Sequence, residues 1–167
     1  MATIRYRWGI HGYIAIGVAT VAIAALVGFR GETFTGEVVR VVDGDTLCLQ
    51  GPAGEVVLRV WGVDCPEMDQ PFGWDAKAFT AGLALGQVVK VTVEDVDRYR
   101  RRVAVVTLSD GRDLGNELIR AGCAWWTSDY APRDVVKKGL EIEARFARKG
   151  LWATPQPVAP WEWRHRR

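Results

Sequence analysis

The chain has 167 residues, which is enough for one domain with a real core and too few for two ordinary domains. Apolar residues make up 49% of the sequence and charged residues 25%, a composition that excludes wholesale disorder. The three cysteines exclude a dense disulfide scaffold, and the lack of a Cys-x-x-Cys pair in the sequence argues against a structural zinc site.

Charge is distributed unevenly along the sequence. The 22 Lys and Arg residues against 20 Asp and Glu give a net charge of +2, so the chain is not a polycation. Three of the basic residues precede Gly31 and every acidic residue follows it, which leaves a net charge of −1 from Gly31 onward. Binding of a polyanion by this region would therefore require a local basic patch or a metal ion.

An apolar segment, residues 10–29, precedes the charged part of the chain. Its 20 residues carry no formal charge, and as a helix they would span about 30 Å, the thickness of a bilayer's hydrocarbon core. Arg5 and Arg7 indicate that the N-terminus stays in the cytoplasm and that the chain then crosses the membrane. We interpret residues 1–30 as an uncleaved anchor or as a signal peptide with a cleavage site near Ala22. Both interpretations predict an extracytoplasmic domain, either anchored in the membrane through residues 10–29 or secreted or periplasmic.

Three strands are predicted first in the remaining sequence. Residues 36–42 form a β-branched run that breaks at the turn dipeptide Asp43-Gly44 and resumes over residues 46–49, a pattern typical of a hairpin. A Gly-Pro-Ala-Gly turn then leads to a third strand over residues 55–63.

Helix and strand patterns follow in the rest of the chain. The spacing of apolar residues predicts a helix over 74–85, strands over 87–94 and 102–108, and helices over 113–122 and 134–150. The last helix is expected to bury Val136, Leu140, Ala144 and Ala147. Residues 154–167 form a tail rich in Pro and Trp with a basic end. The pattern indicates an α+β domain over residues 31–153, a five-stranded OB-fold barrel with three helices, preceded by the N-terminal hydrophobic helix.

Two stretches contain the side chains best suited to chemistry. In the first, Asp45, Asp64 and Glu67 accompany Arg59, and carboxylate oxygens are hard ligands suited to Ca²⁺ or Mg²⁺. The second, residues 97–102, places four arginines around a tyrosine; arginine binds phosphate bidentately, and tyrosine stacks on bases. Together they suit hydrolysis of a phosphodiester, although each stretch alone is also compatible with an ordinary turn or a solvated face.

Four segments in order resemble the thermonuclease, or staphylococcal nuclease-like, family. They read VVDGDTLCL, LRVWGVDCPEMDQP, DRYRRRVAVV and LGNELIRAGCAWW, and the similarity covers about residues 34–152. The resemblance implies an OB-fold barrel with three helices and a Ca²⁺-dependent nuclease that acts on DNA and RNA and leaves 3′-phosphates. It implies no obligate protein partner.

The same resemblance implies roles for the first stretch. Asp45 and Asp64 would be the carboxylate ligands of Ca²⁺, together with the backbone carbonyl of Cys65, which replaces the family's usual threonine. Arg59 would hold the scissile phosphate. Glu67 would position or activate the attacking water.

It also implies roles for the second stretch and one later residue. Arg101 would be the second phosphate-binding arginine, Arg98 and Tyr99 would contact a nucleotide's terminal phosphate and base, and Tyr130 would stack on a base. Arg100 replaces the family's usual glycine. If the backbone there has a positive φ, arginine adds strain beside Arg101.

Several alternatives stay open at this point. The chain could be a non-catalytic OB module that binds single-stranded nucleic acid, or a membrane-tethered interaction domain that docks through residues 154–167. The complete set of expected metal and phosphate side chains favours the enzyme. Cys48 and Cys123 could pair in an oxidising compartment and leave Cys65 free, or all three could be buried thiols.

Overall fold

The computed structural model describes residues 31–51 and 54–166. The predicted anchor or signal peptide, residues 1–30, lies outside the described residues. Within the two described ranges, no helix has the length and apolar character needed to span a bilayer.

Five strands close into a barrel. They are Thr33–Val41 (β1), Thr46–Gly51 (β2), Gly54–Val60 (β3), Val88–Val96 (β5) and Arg102–Thr107 (β6). The order around the barrel is β1-β2-β3-β6-β5, with antiparallel neighbours except β3 and β6, whose parallel pairing completes the ring. Val89, Val91 and Val93 on β5 are almost fully buried, as their alternation predicts.

Helices and two very short strands surround the barrel. The short strands are Val63–Asp64 (β4) and Trp125–Trp126 (β7), which pair with each other. The helices are Gly73–Ala84 (α1), Leu114–Arg120 (α2), Val135–Phe146 (α3) and Pro160–His165 (α4), with a 3-10 turn over Gly150–Ala153. The predicted five-stranded OB-fold barrel with three helices is therefore confirmed, and α4 is an additional short helix.

The predicted third strand is too long by three residues. β3 ends at Val60, because the chain turns at Trp61 and Gly62, and Gly62 has φ +73°, a conformation that favours glycine. The chain resumes as β4, which carries Asp64. This turn separates Arg59 from Asp64 by only five residues and lets the two side chains face each other.

The predicted last helix is wrong in its end and in part of its buried face. It stops at Phe146 rather than Gly150, and Arg148 has φ +50°, which no helix continues through. Val136 is 55% exposed and Ala147 is also exposed, whereas Lys137 is only 3% exposed. Lys137 is buried at the position next to Val136, and its burial is possible because its ammonium group pairs with the Asp134 carboxylate at 3.1 Å.

The C-terminal tail packs on the domain. The ring centroid of Trp125 on β7 lies 6.4 Å from that of Trp161 in the tail and 4.9 Å from that of Trp152 in the preceding 3-10 turn, both in edge-on geometry. The Gln70 side chain donates a hydrogen bond of 2.6 Å to the backbone carbonyl of Val158. These contacts fix α4 beside the loop that follows β4.

Candidate active site

A single open cleft of about 540 Å³ contains all nine residues that the sequence analysis singled out. These are Asp45, Arg59, Asp64, Cys65, Glu67, Arg98, Tyr99, Arg101 and Tyr130. Asp43, Pro66, Asp97 and Arg164 also line it. The fold thus brings together predicted residues as far apart in the sequence as Asp45 and Tyr130, which are separated by 85 positions.

The Asp-Gly-Asp turn between β1 and β2 positions Asp45. The backbone NH of Asp45 donates to the Asp43 carboxylate at 3.1 Å, and Thr80 on α1 donates to the carbonyl of Gly44 at 2.6 Å. A Cβ at Gly44 would lie 2.6 Å from the Cβ of Cys65, so only glycine fits there. The turn is therefore pressed against β4 and α1, and Asp45 is held with 2% exposure.

Arg59 bridges the two carboxylates expected to bind metal. Its Nη1 donates to Asp45 Oδ1 at 2.8 Å and its Nη2 donates to Asp64 Oδ1 at 2.7 Å. The backbone NH of Cys65 donates to the other oxygen of Asp45 at 2.7 Å. Burial raises the pKa of Asp45 to about 7 although Arg59 acts in the opposite direction. The Asp45 carboxylate in turn raises the pKa of Arg59, which stays fully charged.

The loop after β4 presents Glu67 at the mouth of the cleft. Its side chain is 34% exposed, and its backbone NH donates to Gln70 Oε1 at 3.1 Å. Gly73, at the start of α1, packs so closely that a Cβ there would lie 2.0 Å from the Glu67 carbonyl. Helix α1 therefore fixes the backbone of this loop.

Asp97 organises the arginine-rich turn between β5 and β6. Its carboxylate accepts from the backbone NH of Tyr99 and of Arg101, each at 2.9 Å, and from Arg101 Nε at 2.7 Å. Although burial raises the pKa of Asp97, these hydrogen bonds from Arg101 and Tyr99 outweigh it and hold that pKa below its usual value. Arg100 has φ +63°, the positive φ that is unfavourable for a residue with a Cβ, yet Arg101 still lines the cleft.

Aromatic side chains flank the arginines of the cleft. Tyr99 is 65% exposed, with the guanidinium carbons of Arg98 and Arg101 at 4.8 and 5.5 Å from its ring centroid. Tyr130 is 52% exposed and lines the same cleft. Exposed aromatic rings next to guanidinium groups can stack on bases while the arginines contact phosphates.

Arg164 on α4 is a residue of the cleft that the sequence analysis missed. Its Nη1 donates to Glu67 Oε1 at 2.7 Å, and its Nη2 donates to Asp64 Oδ2 at 2.7 Å. The Trp-rich composition of the tail is a signal that it docks on the domain. No periodicity in a six-residue helix could have indicated that it delivers an arginine to two acids nearly 100 residues away.

Two buried acids of the cleft carry the type of ligand atom that hard divalent cations prefer, and in this structure both carboxylates are paired with arginines. Asp45, on the turn between β1 and β2, and Asp64, on β4, offer carboxylate oxygens, and oxygen ligands are those that Ca²⁺ and Mg²⁺ prefer. Among the residues that the structure describes, no group of three or more His, Cys, Asp or Glu side chains is arranged as a metal site. A cation here would thus rely on two carboxylates together with backbone oxygens or water.

The cysteine side chains are buried thiols. Cys48, Cys65 and Cys123 are each free and at most 4% exposed. Burial raises the pKa of Cys123 to about 12 and that of Cys65 well above its ordinary value, so neither is a thiolate at neutral pH. Of the two alternatives for the cysteines, the structure has the three unpaired thiols.

Comparison with known proteins identifies the family. The family model described as "Staphylococcal nuclease homologue" matches residues 57–154. An "Uncharacterized endonuclease" of Escherichia coli O157:H7 is 39% identical over 132 residues, which cover 79% of this chain and 86% of the relative. A "Micrococcal nuclease" of Shigella flexneri is 34% identical over 159 residues, 90% of each chain. The chain therefore belongs to the family of staphylococcal nuclease homologues and is a nuclease.

Proposed function

We propose that the protein is a Ca²⁺-dependent, sugar-nonspecific nuclease that hydrolyses phosphodiester bonds of DNA and RNA and leaves 3′-phosphates. The observation that carries this proposal is the Arg59 bridge between Asp45 and Asp64, in the same cleft as Glu67 and Arg101. Removing a carboxylate from water costs free energy unless it is paired or binds a cation. A module that only binds nucleic acid would have no use for acids buried at this cost.

Asp45 and Asp64, with the backbone carbonyl of Cys65, would hold the Ca²⁺ ion. When bound, the ion would supply positive charge that stabilises the developing negative charge on the phosphate. Burial favours the protonated form of Asp45, so nearby positive charge is needed to keep it ionised, and Arg59 already provides part of it.

In this proposal the arginines stabilise the phosphate and Glu67 acts on the attacking water. Arg59 is 17% exposed and Arg101 is 28% exposed, so their guanidinium groups face the cleft from ordered positions. Preorganised donors of this kind stabilise a charged transition state without reorganising during the reaction. Glu67, at the mouth, would orient or deprotonate the attacking water. Arg98, Tyr99 and Tyr130 would hold the phosphate and bases of the substrate.

We propose an extracytoplasmic location for this activity. The proposal rests on the apolar segment 10–29 and on Arg5 and Arg7, all outside the described residues. The segment would either anchor the nuclease in the membrane or be removed on export.

The test incubates the full chain with single-stranded DNA and, separately, with RNA, in Ca²⁺ or in excess chelator, and determines the chemistry of the product ends. We expect cleavage in Ca²⁺ only, with 3′-phosphate ends on both substrates. A folded chain that binds DNA but cleaves nothing in any divalent metal would contradict the proposal and support the binding module instead.

Substitutions assign the activity to this cleft. Arg59→Ala and Glu67→Gln should each lower kcat by about 10²-fold or more while the far-ultraviolet circular dichroism is unchanged. Arg120→Ala and Glu143→Gln, on the exposed faces of α2 and α3, are the matched controls and should retain activity. Near-normal turnover by either cleft variant would reject the site.

A further inference from the structure

Helix α4 is attached to the loop that carries Glu67 through two routes. The first uses the backbone: Gln70, which is 6% exposed, accepts from the Glu67 NH and donates to the Val158 carbonyl just before α4. The second uses side chains: Arg164 on α4 donates to the Glu67 carboxylate at 2.7 Å. The indole NH of Trp163 also donates to Asp69 on the same loop, at 3.3 Å.

Arg164 donates hydrogen bonds to two acids of the cleft. Nη1 donates to Glu67 Oε1 and, at 3.2 Å, to Asp64 Oδ1, while Nη2 donates to Asp64 Oδ2. The N–H donors of a guanidinium form a rigid planar fork, so one arginine can fix the orientation of two neighbouring carboxylates. With its amino groups directed at two carboxylates, Arg164 is placed to orient these acids.

Restraint matters most for Glu67. Its side chain is 34% exposed, whereas that of Asp64 is 4% exposed and is fixed by Arg59 as well. A half-exposed glutamate samples several rotamers unless a partner holds it. A general base must lie within hydrogen-bond reach of its proton, so small displacements lower the rate.

We propose that Arg164 is a positioning residue of the nuclease, which holds the Glu67 carboxylate in its working orientation from the C-terminal helix α4. This inference rests on the proposed function for the role of Glu67. It makes the tail part of the active site, in contrast to the hypothesis that residues 154–167 are a docking segment for a partner.

The kinetic test measures kcat and KM of the full chain on single-stranded DNA in Ca²⁺. Arg164→Gln should lower kcat by about tenfold or more, with KM changed by less than about threefold, because a positioning residue acts on the chemical step. Arg164→Lys keeps the positive charge but lacks the fork, so its kcat should stay below that of the wild type. Arg166→Gln, an exposed change of the same charge two residues later, should match the wild type.

A double variant tests whether Arg164 acts through Glu67. The kcat of Glu67→Gln/Arg164→Gln should equal that of Glu67→Gln alone, because residues that act as a unit are not additive. A further fall in the double variant, or an unchanged or increased kcat in Arg164→Gln, would each overturn the proposal.

A thermal-unfolding cycle on the same four proteins needs no catalysis. If Arg164 contacts Glu67 in solution, the Tm change caused by Arg164→Gln is smaller in the Glu67→Gln background. Equal Tm changes in both backgrounds would overturn the inference even in an active enzyme. If the wild type cleaves nothing, the proposed function fails by itself, and this cycle still decides whether α4 holds Glu67.

Discussion

Arg100 occupies a left-handed backbone conformation, with φ +63°, between two residues of the cleft. For a residue with a Cβ this conformation costs about 1–2 kcal/mol. Two backbone hydrogen bonds to Asp97 hold Arg100 in this conformation. The Arg100 NH donates to the Asp97 carbonyl at 2.9 Å, and the Asp97 NH donates to the Arg101 carbonyl at 3.0 Å. Strain is thus stored one residue before a phosphate-binding candidate.

Replacing Arg100 with glycine should relieve this strain. We expect Arg100→Gly to raise the free energy of unfolding by about 0.5–1 kcal/mol, because the relieved strain exceeds the entropy that glycine adds to the unfolded chain. Urea unfolding of the two proteins measures the difference. Arg100→Ala is the control, since it removes the same charge but keeps the Cβ, and an equal gain there would show that charge rather than φ is responsible.

At the residue scale, local motifs in the sequence identified residues that the structure brings into one cleft, while their roles stay a prediction. Asp45, Arg59 and Asp64 stand in recognisable segments, and the structure brings them within hydrogen-bond distance. Arg164 escaped prediction because its place depends on how Trp161 packs on Trp125 of β7 and on the hydrogen bond from Gln70 to the Val158 carbonyl, and sequence spacing contains no information on either contact.

At the scale of elements, α3 depends on its N-terminal cap. The Asp134 carboxylate accepts from the backbone NH of Lys137 at 2.9 Å, and the Lys137 ammonium lies 3.1 Å from it. Although burial raises the pKa of Asp134, the hydrogen bonds from Lys137 outweigh it and hold that pKa below its ordinary value. The capping stabilisation is therefore present above the unfolded-state pKa and is lost as the pH falls through the folded-state pKa.

Removing this cap should cost stability in a pH-dependent way. Asp134→Ala should lower the free energy of unfolding by about 1 kcal/mol at pH 7, and this difference should shrink towards zero at about pH 2. Asp134→Asn keeps a capping oxygen and should lose less at pH 7. Urea titrations at both pH values give the result, and a cost for the alanine variant that does not change with pH would contradict the assignment.

Element types were predictable because period-two and helical patterns are strong in this chain, but some limits were not. β3 was extended across Trp61 and Gly62 because the apolar alternation continues through them, while the tertiary fold needs a turn there. The face of α3 was misassigned at Val136 since a buried lysine, paired with two aspartates, is invisible to hydrophobic periodicity.

At the scale of the whole molecule, charge is local rather than global. The region from Gly31 onward has a net charge of −1, yet four arginines line the cleft: Arg59, Arg98, Arg101 and Arg164. Arg59 and Arg164 face the buried acids, whereas Arg98 is exposed beside Tyr99. Nucleic-acid affinity should therefore depend on a few arginines of the cleft and little on total charge.

The salt dependence of binding tests this. In excess chelator, the logarithm of the Kd for single-stranded DNA should rise with the logarithm of salt concentration with a slope of about 2, as expected for about three phosphates. Arg98→Gln should lower the slope by about 0.7 and weaken binding to all sequences alike. Arg120→Gln makes the same change in net charge on α2, where Arg120 pairs with Glu117 outside the cleft, and should leave the slope unchanged. If both variants lower the slope equally, total charge governs DNA binding. The arginines of the cleft would then not be the main contacts to the phosphates.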